Sequence, residues 1–220
     1  VIISFVVPVY NEDKRIVKTA GEIIAFQNSL PFESEWIFVD DGSNDQTESL
    51  AREALGPLPY QWIQLEKNRG KGWAVKTGIL KAKGEFIFFT DADLSTPLSE
   101  YERLLNPLKE GYDMAVASRG AGARVLLHQN WLRETMGRTF NRIARLLAFK
   151  GIQDSQCGFK AFRKEAARKL FRLQKLAGFS FDAEIIYLAQ RFQFRIAEVP
   201  VTWINSPDSK VRMFWDSLQM

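Results

Sequence analysis

The stretch FIFFTDADLS, residues 86–95, runs four apolar residues into Thr90 and then sets Asp91 and Asp93 one residue apart. Hard carboxylate oxygens at that spacing suit a divalent ion such as Mg²⁺ or Mn²⁺ that also touches ligand phosphates. A bare Asp-Ala-Asp is equally good solvated-loop or helix-capping chemistry. Its position after an apolar strand, facing other acidic and Gly-rich loops, favours a site. A second acidic pair, Asp40 and Asp41, closes the apolar run EWIFVD. An acid there can accept hydrogen bonds from a base or ribose, while DGS is good turn chemistry and Asp45 a good cap. NRGKG, with Lys71 between its glycines, precedes a helical pattern. Asp182 and Glu184 in FSFDAEIIY sit at a helix start, as capping charges or as active-site acids.

The elements that must position these groups are legible from periodicity. VIISFVVPVY reads as a buried strand, and Asn11 as the cap of a helix carrying Ile16, Ala20, Ile23, Ile24 and Phe26. EWIFVDDGS, YQWIQLE, GEFIFFT and YDMAVASR read as four further strands, separated by helical patterns. This alternation predicts an α/β fold, a doubly wound and mainly parallel sheet flanked by helices. Ligands of such sheets lie outside the carboxyl ends of the strands. PVYNE, DDGS, NRGKG, DAD and SR should therefore face one crevice. SQCGFKAFR and RIAEVPVTW read as later strands, with helices from Lys164 and from about Asp182. One domain over 1–220 is expected, with a nucleotide half at 1–120 and an acceptor half at 121–220.

Composition removes several alternatives. The 220 residues are 46% hydrophobic, with a net charge of +4. Cys157 and His128 are each the only residue of their type. Intrachain disulfides, cysteine zinc clusters and multi-histidine metal sites are excluded, and a Ser-His-Asp triad could run only through His128. No apolar run approaches the roughly 20 residues of a membrane span. The chain starts at Val1 and reads as an excised piece, so an anchor outside it stays open. A dinucleotide-binding Rossmann motif is disfavoured, because its Gly-rich loop should follow the first strand. GKG does not have the P-loop spacing either. In WLRETMGRTFNRIARLLAF, Leu132, Met136, Phe140, Ile143 and Leu147 form one stripe. Arg138, Arg142 and Arg145 lie opposite it and Arg133 on the flank, with no acid between Glu134 and Asp154. That suits a membrane-surface helix or an anionic ligand better than an ordinary solvated face. Nucleic acid is not expected, for want of a recognised binding motif.

Taken together, VVPVYNE, VDDGSNDQT, NRGKGWAVKTG, TDADLSTP, ASR, DSQCGFKAF, FDAEI and VPVTW followed by DSK resemble the family 2 glycosyltransferases of the GT-A fold. The resemblance covers nearly the whole chain. The last four pieces look like the polyprenyl-phosphate sugar transferases, and GIQDSQCGFKAF most like the dolichyl-phosphate β-glucosyltransferases. It implies a nucleotide-sugar donor, UDP-glucose, and a polyprenyl or dolichyl phosphate acceptor, met at a membrane surface from the cytoplasmic side. Pro8, Tyr10, Glu12, Asp40 and Asp41 would hold the nucleotide, and Asp91 and Asp93 the metal and diphosphate. Arg119, Arg133, Ser209 and Lys210 would gather phosphates, and Trp203 would line the cleft. Lys71 and Arg138 join the substrate-binding set, and Asp182 would orient an arginine. Mannosyl relatives using GDP-mannose often carry Gln where this chain has Ser95, and a Ser can replace Gly137. A nucleotidyltransferase on a similar sheet is the other enzyme class to weigh, but PVYNEDKR lacks its Gly-rich form. A non-catalytic membrane-surface scaffold that keeps the sheet is the alternative outside the enzymes.

Overall fold

A computed structural model describes residues 3–120, 122–127 and 151–204. The stripe and arginine face between Leu132 and Leu147, with Arg133 and Arg138, fall outside the described residues, as do His128, Ser209 and Lys210.

The expected alternation is present. The strands are β1 (Ile3–Val9), β2 (Glu35–Asp40), β3 (Tyr60–Gln64), β4 (Phe86–Thr90), β5 (Met114–Ser118), β6 (Arg124–Leu127), β7 (Phe159–Arg163), β8 (Ile196–Pro200) and β9 (Thr202–Ile204). The helices are α1 (Ile16–Ser29), α2 (Thr47–Leu55), α3 (Lys71–Lys81), α4 (Tyr101–Lys109), α5 (Lys164–Leu173) and α6 (Phe181–Arg191). Seven strands form one sheet in the order β3-β2-β1-β4-β7-β5-β8, and β6 pairs with β9. β7 runs antiparallel to both β4 and β5, and the other pairings are parallel.

The central strands are apolar on both faces because both are covered. Phe5, Val7, Trp36, Phe38 and Phe88 point toward the layer that holds Ile16, Ile23, Ala51, Leu104 and Leu108 of α1, α2 and α4. Val6, Ile37, Val39, Ile87 and Phe89 point to the layer of α3, α5 and α6, with Val75, Ile79, Leu170 and Ile185. Successive residues of β1 thus feed opposite cores, as a period of two requires.

Asn11 does not cap α1. The helix begins at Ile16 after Arg15, and Asn11 takes a left-handed backbone with φ of 52°. Its side-chain oxygen accepts the Asn44 N–H at 2.9 Å, so it laces two loops together instead. Asn tolerates that conformation better than most residues. No described helix is long and apolar enough to cross a membrane.

Candidate active site

The carboxyl ends of β1, β2, β4 and β5 carry the predicted groups, and their loops are tied to one another. After β1, the Asn11 N–H donates to Ser43 Oγ at 2.8 Å and the Glu12 N–H to Thr47 Oγ1 at 2.6 Å. Tyr10, just before them, stands 40% exposed, whereas Pro8 is buried within β1 opposite Val39. Pro8 can therefore shape a nucleotide site only through the strand.

Asp40 and Asp41 divide their labour. Asp41 accepts the N–H groups of Arg69 and Gly70, both at 2.8 Å, and so clamps the Gly-rich loop. Burial nevertheless pushes its pKa up, against those two bonds. Asp40 Oδ1 accepts the Ser43 N–H at 2.8 Å, while its buried Oδ2 has no hydrogen-bond partner. A buried acceptor left open is costly unless something donates to it. Asp40 is thus the one of the pair with capacity for a ligand N–H. Arg69 lies 3.5 Å over the Trp73 ring, a stacked cation beside the same loop.

Asp91 and Asp93 follow β4. The Asp91 N–H donates to Gly158 O at 3.1 Å, and Asp93 Oδ1 accepts the Ser95 N–H at 2.9 Å. Thr19 Oγ1 holds Ala92 O at 2.6 Å, pinning the loop to α1. Lys71 Nζ sits 2.6 Å from Asp91 Oδ1, and Arg15 Nη1 lies 3.9 Å from Asp93 Oδ2. Burial, and after it the Asp91 charge, raises the Asp93 pKa. Burial opposes the Lys71 charge, but Asp91 and then Asp182 outweigh it and hold the ammonium above its ordinary pKa. Two hard carboxylates at one strand end, with cations drawn to them, fit a divalent ion. No group of three or more metal-ligating side chains forms among the described residues. The remaining ligands of such an ion would come from phosphate or water.

Arg119 follows β5. Its Nε and Nη2 donate to Asp154 at 2.7 and 2.9 Å, and its backbone N–H adds a third bond to Asp154 at 3.0 Å. Its guanidinium lies 5.5 Å from the Trp203 ring, and Trp203 is itself largely buried beneath it. Asp182 pairs with a lysine and not an arginine: Lys160 Nζ is 2.6 Å from Asp182 Oδ1, and both side chains are sealed from solvent. Burial still pushes the Asp182 pKa up, against Lys160 and Lys71. Cys157 is buried and belongs to the core.

Arg15, Asp154, Gly158 and Lys160 were not among the expected site residues. One signal was available for Lys160, a lysine in the middle of the apolar strand FKAF. Nothing local marks the other three.

A family model described as Glycosyl transferase family 2 matches residues 4–171. Among curated proteins, dolichyl-phosphate beta-glucosyltransferase of Homo sapiens is 36% identical, over 99% of this chain and 72% of its own length. The protein of that name from Dictyostelium discoideum is 35% identical over 99% and 71%, and that from Saccharomyces cerevisiae 30% over 100% and 72%. Among solved structures, glucosyl-3-phosphoglycerate synthase from Mycobacterium tuberculosis matches with a TM-score of 0.70 at 22% identity, over 99% of this chain and 77% of that one. A complex of that synthase with Mn²⁺, uridine diphosphate and phosphoglyceric acid matches with a TM-score of 0.67 at 23% identity, over 94% and 72%. The fold is that of the GT-A glycosyltransferases.

Proposed function

Since the chain belongs to glycosyl transferase family 2, we propose that it transfers glucose from UDP-glucose to a polyprenyl or dolichyl phosphate, inverting the anomeric carbon. The observation that carries this reading is the Lys71–Asp91 pair beside Asp93 at the carboxyl edge of β4. It offers charge of both signs where a diphosphate with its metal must sit. The names of the curated relatives supply the sugar and the lipid class.

In this reading the uracil ring lies by Tyr10, with its N–H on the open Oδ2 of Asp40. Asp91 and Asp93 hold Mg²⁺ or Mn²⁺, which when bound supplies positive charge to the departing diphosphate. Lys71 adds an ammonium beside the same oxygens. The acceptor phosphate oxygen attacks the anomeric carbon in line as the bond to the UDP oxygen breaks. A phosphate monoester is already ionised near neutral pH, so no general base is required. Like charges must still be brought together, which calls for cations. Asp154 uses two of the five guanidinium donors of Arg119, and the others can meet a phosphate. Glu12, Arg133, Arg138, Ser209 and Lys210 complete the proposed contacts, and Trp203 backs Arg119. The lipid acceptor makes this a membrane-surface reaction, facing the cytoplasm where the donor is available.

The test is transfer from UDP-glucose to a short polyprenyl phosphate with Mn²⁺. Asp91→Asn should lower kcat about 10²-fold, the usual loss for a contact made to a leaving group. Calorimetry should show UDP binding more tightly than GDP. Full activity of Asp91→Asn in chelator, or equal affinity for both nucleotides, would overturn the assignment.

A further inference from the structure

The buried Lys160–Asp182 pair touches none of the groups that would contact donor or acceptor, yet it closes a ring around Asp91. Lys160 Nζ donates to Asp182 Oδ1 and to Cys157 O, both at 2.6 Å. The next carbonyl, Gly158 O, accepts the Asp91 N–H. A Cβ at residue 158 would lie 2.0 Å from Asp91 Oδ2, so the Gly158 backbone is pressed against that carboxylate. On the other side, Asp91 pairs with Lys71 at the first position of α3. The start of α3 is packed on the start of α6. A Cβ at Gly72 would lie 2.7 Å from Phe181 Cβ, and the Trp73 N–H donates to Ala177 O at 3.2 Å. This contact brings Asp182, the neighbour of Phe181, into the field of the Lys71 ammonium. Asp93, with Arg15 beside it, and Arg119 also interact with the Asp91 charge.

We propose that Asp182 and Lys160 are positioning residues that set how tightly Lys71 holds Asp91. Asp182 shares the attraction of Lys71 with Asp91, and Lys160 fixes Asp182 while tying down the turn on which Asp91 rests. This rests on the donor reading above. With the Asp182 charge removed, Lys71 is left with Asp91 as its nearest anion and competes harder with a metal for that oxygen. Asp182 is then not a base, and its loss acts first on metal and diphosphate binding.

Mn²⁺ binding, alone and with UDP, is measured by electron paramagnetic resonance and calorimetry on the wild type, on Asp182→Asn, and on the double variant Lys160→Met with Asp182→Leu. The double variant replaces a buried ion pair by apolar groups of similar size, a change that buried cores commonly accept. Both should bind Mn²⁺·UDP about tenfold more weakly, the scale of one lost charge interaction in a partly screened site. Wild-type affinity in the folded double variant overturns the proposal. So does Asp182→Asn with normal Mn²⁺·UDP binding and a collapsed kcat, the signature of a base. A wild type that binds neither Mn²⁺ nor UDP refutes the donor reading itself, and this inference falls with it.

Discussion

Two buried acids near the carboxyl edge of the sheet, Asp154 and Asp182, each pair with a basic side chain, and their proton affinities shift in opposite directions. Burial disfavours the charge of both. For Asp154, the Arg119 guanidinium overcomes burial and holds the pKa at about 2, below an ordinary 3.8. For Asp182, the lysine at 2.6 Å does not, and the pKa stays raised. The two acids also differ in directed donors. Asp154 receives two from the guanidinium fork, one from the Arg119 backbone and one from the Gln156 N–H at 3.2 Å. Asp182 receives one from an ammonium that also serves Cys157 O. The Arg119 charge, with the hydrogen bonds it donates, outweighs burial at Asp154, whereas the Lys160 and Lys71 charges with one hydrogen bond do not outweigh it at Asp182. The fork holds Arg119 to Asp154 by two parallel contacts, whereas Lys160 meets Asp182 by one.

The largest expected effect comes from breaking the fork. Asp154→Ala strands the partly exposed Arg119 and should cost about 3 kcal/mol of stability, read by urea unfolding at neutral pH. A loss below 1 kcal/mol would mean that the pair is effectively solvated. Next comes pH. The Asp154 contribution is fully present above its unfolded pKa of about 4 and is lost as pH falls through its folded pKa of about 2. That shift corresponds to about 2 kcal/mol. The stability gap between wild type and Asp154→Asn should close over that window. Asp182 has the reverse sign, because its raised pKa favours folding below the unfolded value and that contribution fades as pH rises through the folded one. Asp182→Asn should therefore gain on the wild type with rising pH, and a gap that closes toward acid, as for Asp154, would erase the contrast. The smallest effect is Arg119→Lys, which keeps the charge and loses the fork. A drop of about 1–2 kcal/mol in thermal or urea unfolding is expected.

The acidic loops after β2 and β4 were far more readable in the sequence than either of these two pairs. Asp91 and Asp93 follow an apolar strand directly, and strand order then sends them to the same edge as Asp40 and Asp41. Those are local patterns joined by one topological rule. Lys160 and Asp182 meet across 22 residues, and Arg119 and Asp154 across 35. Their meeting depends on where β7 enters the sheet, and no local period encodes that. Asn11 failed for a related reason. Its type suits a cap and a left-handed turn alike, and contact with Asn44 on a different loop decides between them.

The placement of β7 also bears on how the chain reaches this state. Strands β3, β2, β1 and β4 draw on residues 3–90 and can pair with short crossovers. The far side of β4 then waits for Phe159–Arg163, because β5 reaches the sheet only through β7. Until about 70 further residues have followed β4, its Phe86–Thr90 edge shows open backbone groups on a strand of phenylalanines. Pairing over such separation is slow to form. An early intermediate with that edge open is the species most prone to join a second chain. The strand that brings Lys160 to the site is thus also the one that covers the β4 edge of the sheet.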